Sequence, residues 1–200
     1  MRVLIVSLAV VLLDQVSKLL VKGISIPRLG IDHQGMYPGQ RINLLGDWLN
    51  ITFVENPGIA FGIDFGGGYK LLISLFTIAA TIGLFVYLYI MRQKSFALRL
   101  SLALIIGGAV GNLIDRAFYG MAYDYAPFLY GMVVDFIDIR MFNLFIFSKT
   151  IGSYVLNFAD LSVTTGVILL LFSYSREKES ESETFVPPVE TENALAENKE

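Results

Sequence analysis

The stretch that decides the fold is Gly107–Arg116, GGAVGNLIDR. It closes a long apolar run with three side chains that hydrocarbon cannot solvate. Asn112, Asp115 and Arg116 stand at i, i+3 and i+4, which is one face of a helix. A polar trio at the end of such a run needs partners from elsewhere in the chain. Gly107 and Gly111 form a GxxxG pair with Gly108 beside them. Their expected role is close helix packing in lipid, which brings a second helix near enough to partner Asn112 and Asp115.

Outward from this stretch, apolar runs recur. The trio ends a predicted span over 96–116, and residues 3–21, 69–91 and 153–174 are three further candidates. About 20 helical residues suffice to cross a hydrocarbon core. Asp14, Gln15 and Lys18 interrupt the first run and no small-residue cleavage site follows it, which favours a retained helix over a cleaved leader. Arg2, then Arg92, Lys94 and Arg99, then Arg176 and Lys178 all fall on one side of a four-span threading. Basic residues collect on the cytoplasmic side, so both termini are expected there, with 23–68 and 118–152 opposite. The expected fold class is therefore an all-α integral membrane protein with four transmembrane helices and a small extracytoplasmic β cradle and loop. Residues 1–174 read as one membrane-embedded domain.

Composition agrees. Apolar residues make up 54% of the 200 and charged residues only 16%, too few charges for an ordinary soluble domain. The net charge of −3 belongs to residues 175–200, which carry eight acidic and three basic side chains; the rest of the chain is weakly positive. The body has no basic footprint for nucleic acid, and the tail is expected to be a disordered acidic cytoplasmic segment. There is no cysteine, which removes disulfides and thiolate chemistry. The single histidine, His33, reads as a solvated loop residue.

The third span runs outward and the fourth inward, so Asn112, Asp115, Arg116, Asn157 and Asp160 are expected at one depth, near the outer water boundary. Asp160 also falls near a helix N-terminus, where backbone amides favour an anion. Asp14 lies roughly 16 Å along the first helix at ~1.5 Å per residue, with Lys18 one turn further. It is expected either to pair with Lys18 alone or also to brace the polar cluster. Leu49–Phe53 alternates apolar and polar residues and reads as a half-buried strand, ending in the Asn56-Pro57-Gly58 turn. Val133–Ile139, VVDFIDI, reads as a second strand that points Asp135 and Asp138 to opposite faces. Residue physics does not choose between these two aspartates, or between either and Asp124.

No HExxH motif, Cys/His cluster or GxSxG motif is present, and the Ser17-Lys18 and Ser148-Lys149 neighbours face apart. What remains is a pair of carboxylates sharing one proton with a water between them. Like charges that close cannot both ionise easily, so one acts as base and the other as acid. That chemistry hydrolyses a peptide bond without metal or covalent intermediate, and no cofactor is expected.

The chain resembles lipoprotein signal peptidases, the bacterial signal peptidase II family of membrane aspartic proteases. The resemblance rests on Asp14-Gln15-x-Ser17-Lys18, Asn56-x-Gly58-x-Ala60-Phe61, GGAVGNLIDR, VVDFID, and Asn157-x-Ala159-Asp160, in that order along the four spans. It implies a catalytic dyad of Asp135 and Asp160. Asn56, Asn112, Arg116 and Asn157 would be the polar shell around dyad and substrate, and Asp14 and Asp115 supporting carboxylates. It implies a prolipoprotein substrate, cut just before a diacylglyceryl-modified cysteine at the outer face of the bacterial cytoplasmic membrane, by a monomer in contact with membrane lipid. Two features depart from the family pattern. Asp135 stands twenty positions after Asp115, farther than usual, with Phe118–Gly131 as an insertion and Asp124 at the usual spacing. Leu156 stands where the family has Phe. The flanking VVDF motif, rather than the count, assigns Asp135. A proton-coupled transporter would instead spread its acidic residues across the bilayer, and a structural scaffold would not cluster them.

Overall fold

The structure, a computed structural model, describes residues 2–58, 68–146 and 149–184, with side chains outside 141–153 and 174–184. Helix α1 (Leu4–Lys22) leads to a two-stranded sheet of β1 (Ile24–Ile26) and β2 (Ile31–His33). Strands β3 (Arg41–Leu45) and β4 (Leu49–Asn56) follow, then helices α2 (Gly68–Ile90) and α3 (Phe96–Ile114). A π-helical turn at Asp115–Tyr119 and a short α4 (Gly120–Ala122) lead to β5 (Val133–Ile146), β6 (Lys149–Leu156) and α5 (Phe158–Thr184). Strands β3 to β6 form one antiparallel sheet in sequence order. The expected strands at 49–53 and 133–139 are both present within it. Ala60 and Phe61, the end of the motif that begins at Asn56, lie outside the described residues.

Among the described residues, three helical stretches are long and apolar enough to cross a membrane: Leu4–Lys22, Gly68–Gln93 and Phe96–Ala122. Their outward faces carry Ile5, Leu8, Leu12, Leu72, Phe76 and Phe85, all exposed, as a lipid-facing belt requires. The apolar part of α5, Phe158–Ser173, is shorter. The chain is thus a multi-pass membrane protein with three or four apolar helices. Two expectations need correction. Residues 153–156 are not the start of the fourth helix but the end of β6, paired with β5 through Arg140↔Ser153 and Ile137↔Leu156. A Ser-Tyr-Val-Leu run suits either state locally, and ladder pairing decides. The two small antiparallel sheets supply the β element expected beside the helices. The helix α5 continues to Thr184, into the segment expected to be disordered, and 185–200 lie outside the described residues.

Helix α3 is the centre of the bundle and packs against α1, α2 and α5. Its glycines make this possible. A Cβ on Gly107 would sit 2.8 Å from Val10 Cβ of α1, and one on Gly108 only 2.3 Å from the Ala159 carbonyl oxygen of α5. Small residues let backbones approach in lipid, as expected of the GxxxG pair. At one end of the bundle Val3, Leu88, Leu98, Leu102 and Ile106 form an apolar core. At the other, Val21, Phe53, Tyr119, Val134 and Phe136 seal the sheet onto the helix ends. The polar cluster lies between the two.

Candidate active site

Asn157 caps α5. Its Oδ1 accepts from the Asp160 N–H at 2.9 Å, while Asp160 Oδ2 accepts from the Asn157 N–H at 3.2 Å. This reciprocal capping box satisfies two otherwise orphaned donors at the helix start. It also fixes the Asp160 carboxyl, whose other oxygen accepts from Asn112 Nδ2 at 2.9 Å. The Asn157 amide nitrogen then reaches across to β5, donating to Asp135 Oδ1 at 2.7 Å and to Asn112 Oδ1 at 3.0 Å. Asp135 and Asp160 are thereby held on the two sides of one asparagine. Asp135 Oδ2 accepts from Asn56 Nδ2 at 3.0 Å, and Asn56 Oδ1 accepts from the Gly58 N–H at 2.8 Å. The NPG turn therefore has a structural and a site role at once.

The placement of Asp135 depends on a bulge. Ile51 pairs with Ile137 but Val54 with Asp135, so β4 carries one residue more than β5 between them. Such a bulge bends the strand and re-aims side chains next to a site. Asp135 faces the asparagines, while Asp138 turns to the opposite side. There it is buried with Arg41 and accepts from Thr52 Oγ1 at 2.8 Å. The opposite faces expected of the two aspartates are thus present, and the β3 edge strand covers Asp138. Asp124 is exposed, in a turn with φ of 55° beyond the π-helical segment. Asp135 is pushed up to about 7, by burial first and then by the charge of Asp160, against the lowering bonds from Asn56 and Asn157.

Beneath this pair sits a fully buried layer. Lys18 Nζ lies 2.8 Å from Asp14 Oδ2 and 2.8 Å from Asp115 Oδ2, and donates to Asn112 Oδ1 at 2.9 Å. Asp14 Oδ1 accepts from the Ala159 N–H at 2.9 Å, in the first turn of α5. Asp115 Oδ2 accepts from the Val134 N–H at 3.1 Å, next to Asp135 in β5. Gln15 Nε2 donates to Asp115 Oδ1 at 2.9 Å and Tyr119 Oη donates to Gln15 Oε1 at 3.2 Å. Asp14 thus pairs with Lys18 and also braces the site, which joins the two alternatives read from sequence. Buried ions are tolerated only when every lone pair and proton has a partner, and backbone amides complete the set here.

The Arg116 guanidinium lies over Gly58, where a Cβ would come 3.3 Å from Nη1. Its charge faces Asp115, Asp135 and Asp160, and its Nε is buried with no hydrogen-bond partner among the described residues. All eight expected site residues therefore meet in one cluster. Sequence reasoning did not include Lys18, Gln15 or Tyr119 in it. The i+4 spacing of Lys18 from Asp14 was the available signal, but its second carboxylate, Asp115, is distant in sequence. His33 is exposed, as expected, but it ends strand β2 rather than lying in a loop, with Nε2 2.8 Å from the Leu20 carbonyl oxygen.

An apolar helix bundle whose polar cluster holds two electrostatically coupled carboxylates defines a membrane enzyme fold with acid–base potential. The chain belongs to the signal peptidase II family, whose profile, described as signal peptidase (SPase) II, matches residues 6–176. Similar curated proteins are each named lipoprotein signal peptidase. That of Chlorobium phaeobacteroides (strain BS1) is 32% identical over 169 residues, covering 84% of this chain and 91% of the relative. That of Halothermothrix orenii is 35% identical over 177 residues, covering 88% and 97%. Among solved structures, a bacterial membrane enzyme determined by the in meso method at 2.3 Å resolution superposes with a TM-score of 0.64 at 26% identity. That match covers 93% of this chain and 94% of the other. Family membership makes the chain a peptidase.

Proposed function

We propose that this protein removes signal peptides from prolipoproteins, cutting just before the diacylglyceryl-modified lipobox cysteine at the outer face of the bacterial cytoplasmic membrane. Asp135 and Asp160 act as the catalytic pair. The observation that carries this is their joint attachment to Asn157, whose side chain donates to Asp135 and whose backbone N–H donates to Asp160, with Asp135 pushed up to about 7 beside the charge of Asp160. Asp135 then holds a proton near neutrality and Asp160 serves as the base.

In the first step Asp160 takes a proton from water as its oxygen attacks the scissile carbonyl carbon. Asp135 gives its proton to the carbonyl oxygen, so a neutral gem-diol forms without metal or covalent intermediate. On collapse the carbon–nitrogen bond breaks, Asp160 returns its proton to the leaving amine, and Asp135 recovers one from the diol. The products are a carboxylic acid and a free amine, and the pair is restored. Arg116, whose Nε has no partner among the described residues and which lies over Gly58, is suited to orient the substrate backbone. Both carboxylates and every supporting side chain come from one chain, so a monomer suffices. The exposed apolar belt of the helices leaves the lipid part of the substrate in hydrocarbon.

The test is cleavage of a diacylglyceryl-modified lipobox peptide by the purified protein. Asp135→Asn and Asp160→Asn are expected to fold but lose cleavage by about a hundredfold or more, and Asp124→Asn to cut like the wild type. An inactive Asp124→Asn would move the pair into the insertion. A wild type that never cuts the lipidated peptide would return the intramembrane carboxylates to a transport role.

A further inference from the structure

The insertion 118–131 is fastened to several elements. Tyr123 Oη donates to the Gly23 carbonyl at 2.6 Å, at the end of α1. Ser74 of α2 donates to the Leu129 carbonyl at 2.7 Å, and the Gly131 N–H to the Arg116 carbonyl at 2.8 Å. Tyr125 Oη accepts from the Met132 N–H at 2.9 Å, just before β5. Within this frame sits the Lys22 amine, 4.2 Å from the Tyr123 ring centroid, 5.1 Å from that of Tyr125 and 5.8 Å from that of Phe53. Lys22 also pairs with Glu55, and both are largely buried. The proposed chemistry uses neither residue.

Glu55 lies beside Asn56 on β4, paired with Val134 as Asn56 is paired with Val133. Adjacent strand residues point to opposite faces, so a hold on Glu55 fixes the backbone from which Asn56 reaches Asp135. We propose that the insertion and Lys22 form a cation clasp on Glu55 that sets the position of Asn56, making Lys22 and Glu55 positioning residues for the Asp135 carboxyl. The proposal rests on the peptidase reading above. It also gives the insertion a function, as a fixed brace between the membrane end of α1 and the strand pair that carries the site. Aromatic faces suit this task because they hold an ammonium without competing for its charge.

The test must separate position from electrostatic field. The other charges facing Asp135 are Asp160 on α5, Lys18 on α1 and Arg116 at the end of α3. Replacing Lys22→Met together with Glu55→Gln removes the clasp without changing net charge. Asn56 stabilises the ionised Asp135 carboxyl, so displacing it raises the pH at which Asp135 loses its proton. In the full-length protein, cleaving the lipidated peptide, the pair variant is expected to lose kcat by about tenfold with KM little changed. The alkaline limb of its pH profile moves upward, as it does in Asn56→Ala. The triple variant cuts no more slowly than Asn56→Ala, because both lesions act on one contact, and Lys22→Arg stays close to wild type. An unchanged limb in the pair variant, or losses that multiply in the triple, overturns the clasp while wild-type cleavage upholds the peptidase. A wild type that cuts nothing overturns the peptidase reading and the clasp with it.

Discussion

At the scale of single residues, Asp135 sets the pH behaviour. Burial and the neighbouring Asp160 push it up to about 7 from an ordinary 3.8. As the acid of the pair it must carry a proton, so cleavage is expected to fall as pH rises through about 7, read from kcat/KM across the neutral range. Stability has the same sign. Because the folded-state value is raised, the native state binds more protons than the unfolded chain between the two values. The contribution of Asp135 is therefore full below its ordinary value and is lost as pH rises through about 7. Thermal melting should show the wild type losing stability relative to Asp135→Asn between pH about 4 and about 7. Lys18 carries a different prediction. Lys18→Met leaves Asp14 and Asp115 buried without their cation, and breaking such a set costs about 3–5 kcal/mol. A lower melting temperature, partly restored by adding Asp115→Asn, would confirm that the loss is electrostatic; an unchanged melt would refute it.

At the scale of elements, the depth at which α3 meets its neighbours is set by missing side chains. Gly108 has the Ala159 carbonyl oxygen 2.3 Å from where its Cβ would stand, and Gly111 has Asp14 Oδ2 at 2.6 Å. Gly108→Ala must push α5 away, an overpacking cost of about 1–3 kcal/mol. Ala159 lies in the turn that presents Asp160, so cleavage should fall with stability, measured by melting and by peptide turnover on one preparation. Gly83, with nothing near its Cβ position, is the control: Gly83→Ala should melt no lower than wild type. A Gly108→Ala variant as active and stable as that control would show that α3 and α5 are not held together here. The capping box at Asn157 and the bulge in β4 complete the set, since each aims one carboxyl at the other.

At the scale of the whole molecule, the prediction concerns threading. The proposed orientation puts Arg92, Lys94 and Arg99 on the cytoplasmic side and the sheets with the active site outside. The chain has no cysteine of its own, so one introduced thiol reports alone. Arg28→Cys, exposed beyond α1, should react with an impermeant thiol reagent added outside spheroplasts; Gln93→Cys, exposed between α2 and α3, should react only after lysis. The reverse pattern would put the site on the wrong face for a secreted substrate.

The sequence by itself determined the membrane class, the extent of α3, the two strands and much of the polar cluster, though not the part that Lys18, Gln15 and Tyr119 play in it. Hydrocarbon imposes a severe constraint, so Asn112, Asp115, Arg116, Asn157 and Asp160 could be read as a set from depth alone. The motif resemblance added Asp135 and Asn56 to that set. Only the tertiary structure decided the rest, because it depends on contacts between segments far apart in the chain. Strand alternation put Asp135 and Asp138 on opposite faces, but the register of β5 against the bulged β4 chose which one meets Asn157. Local pattern allowed 153–156 to be helix or strand, and pairing with β5 chose strand. Asp14 and Lys18 were legible as neighbours on one helix turn. That Lys18 also holds Asp115 follows from the close approach that Gly107 and Gly111 permit, a distance no single stretch of sequence contains.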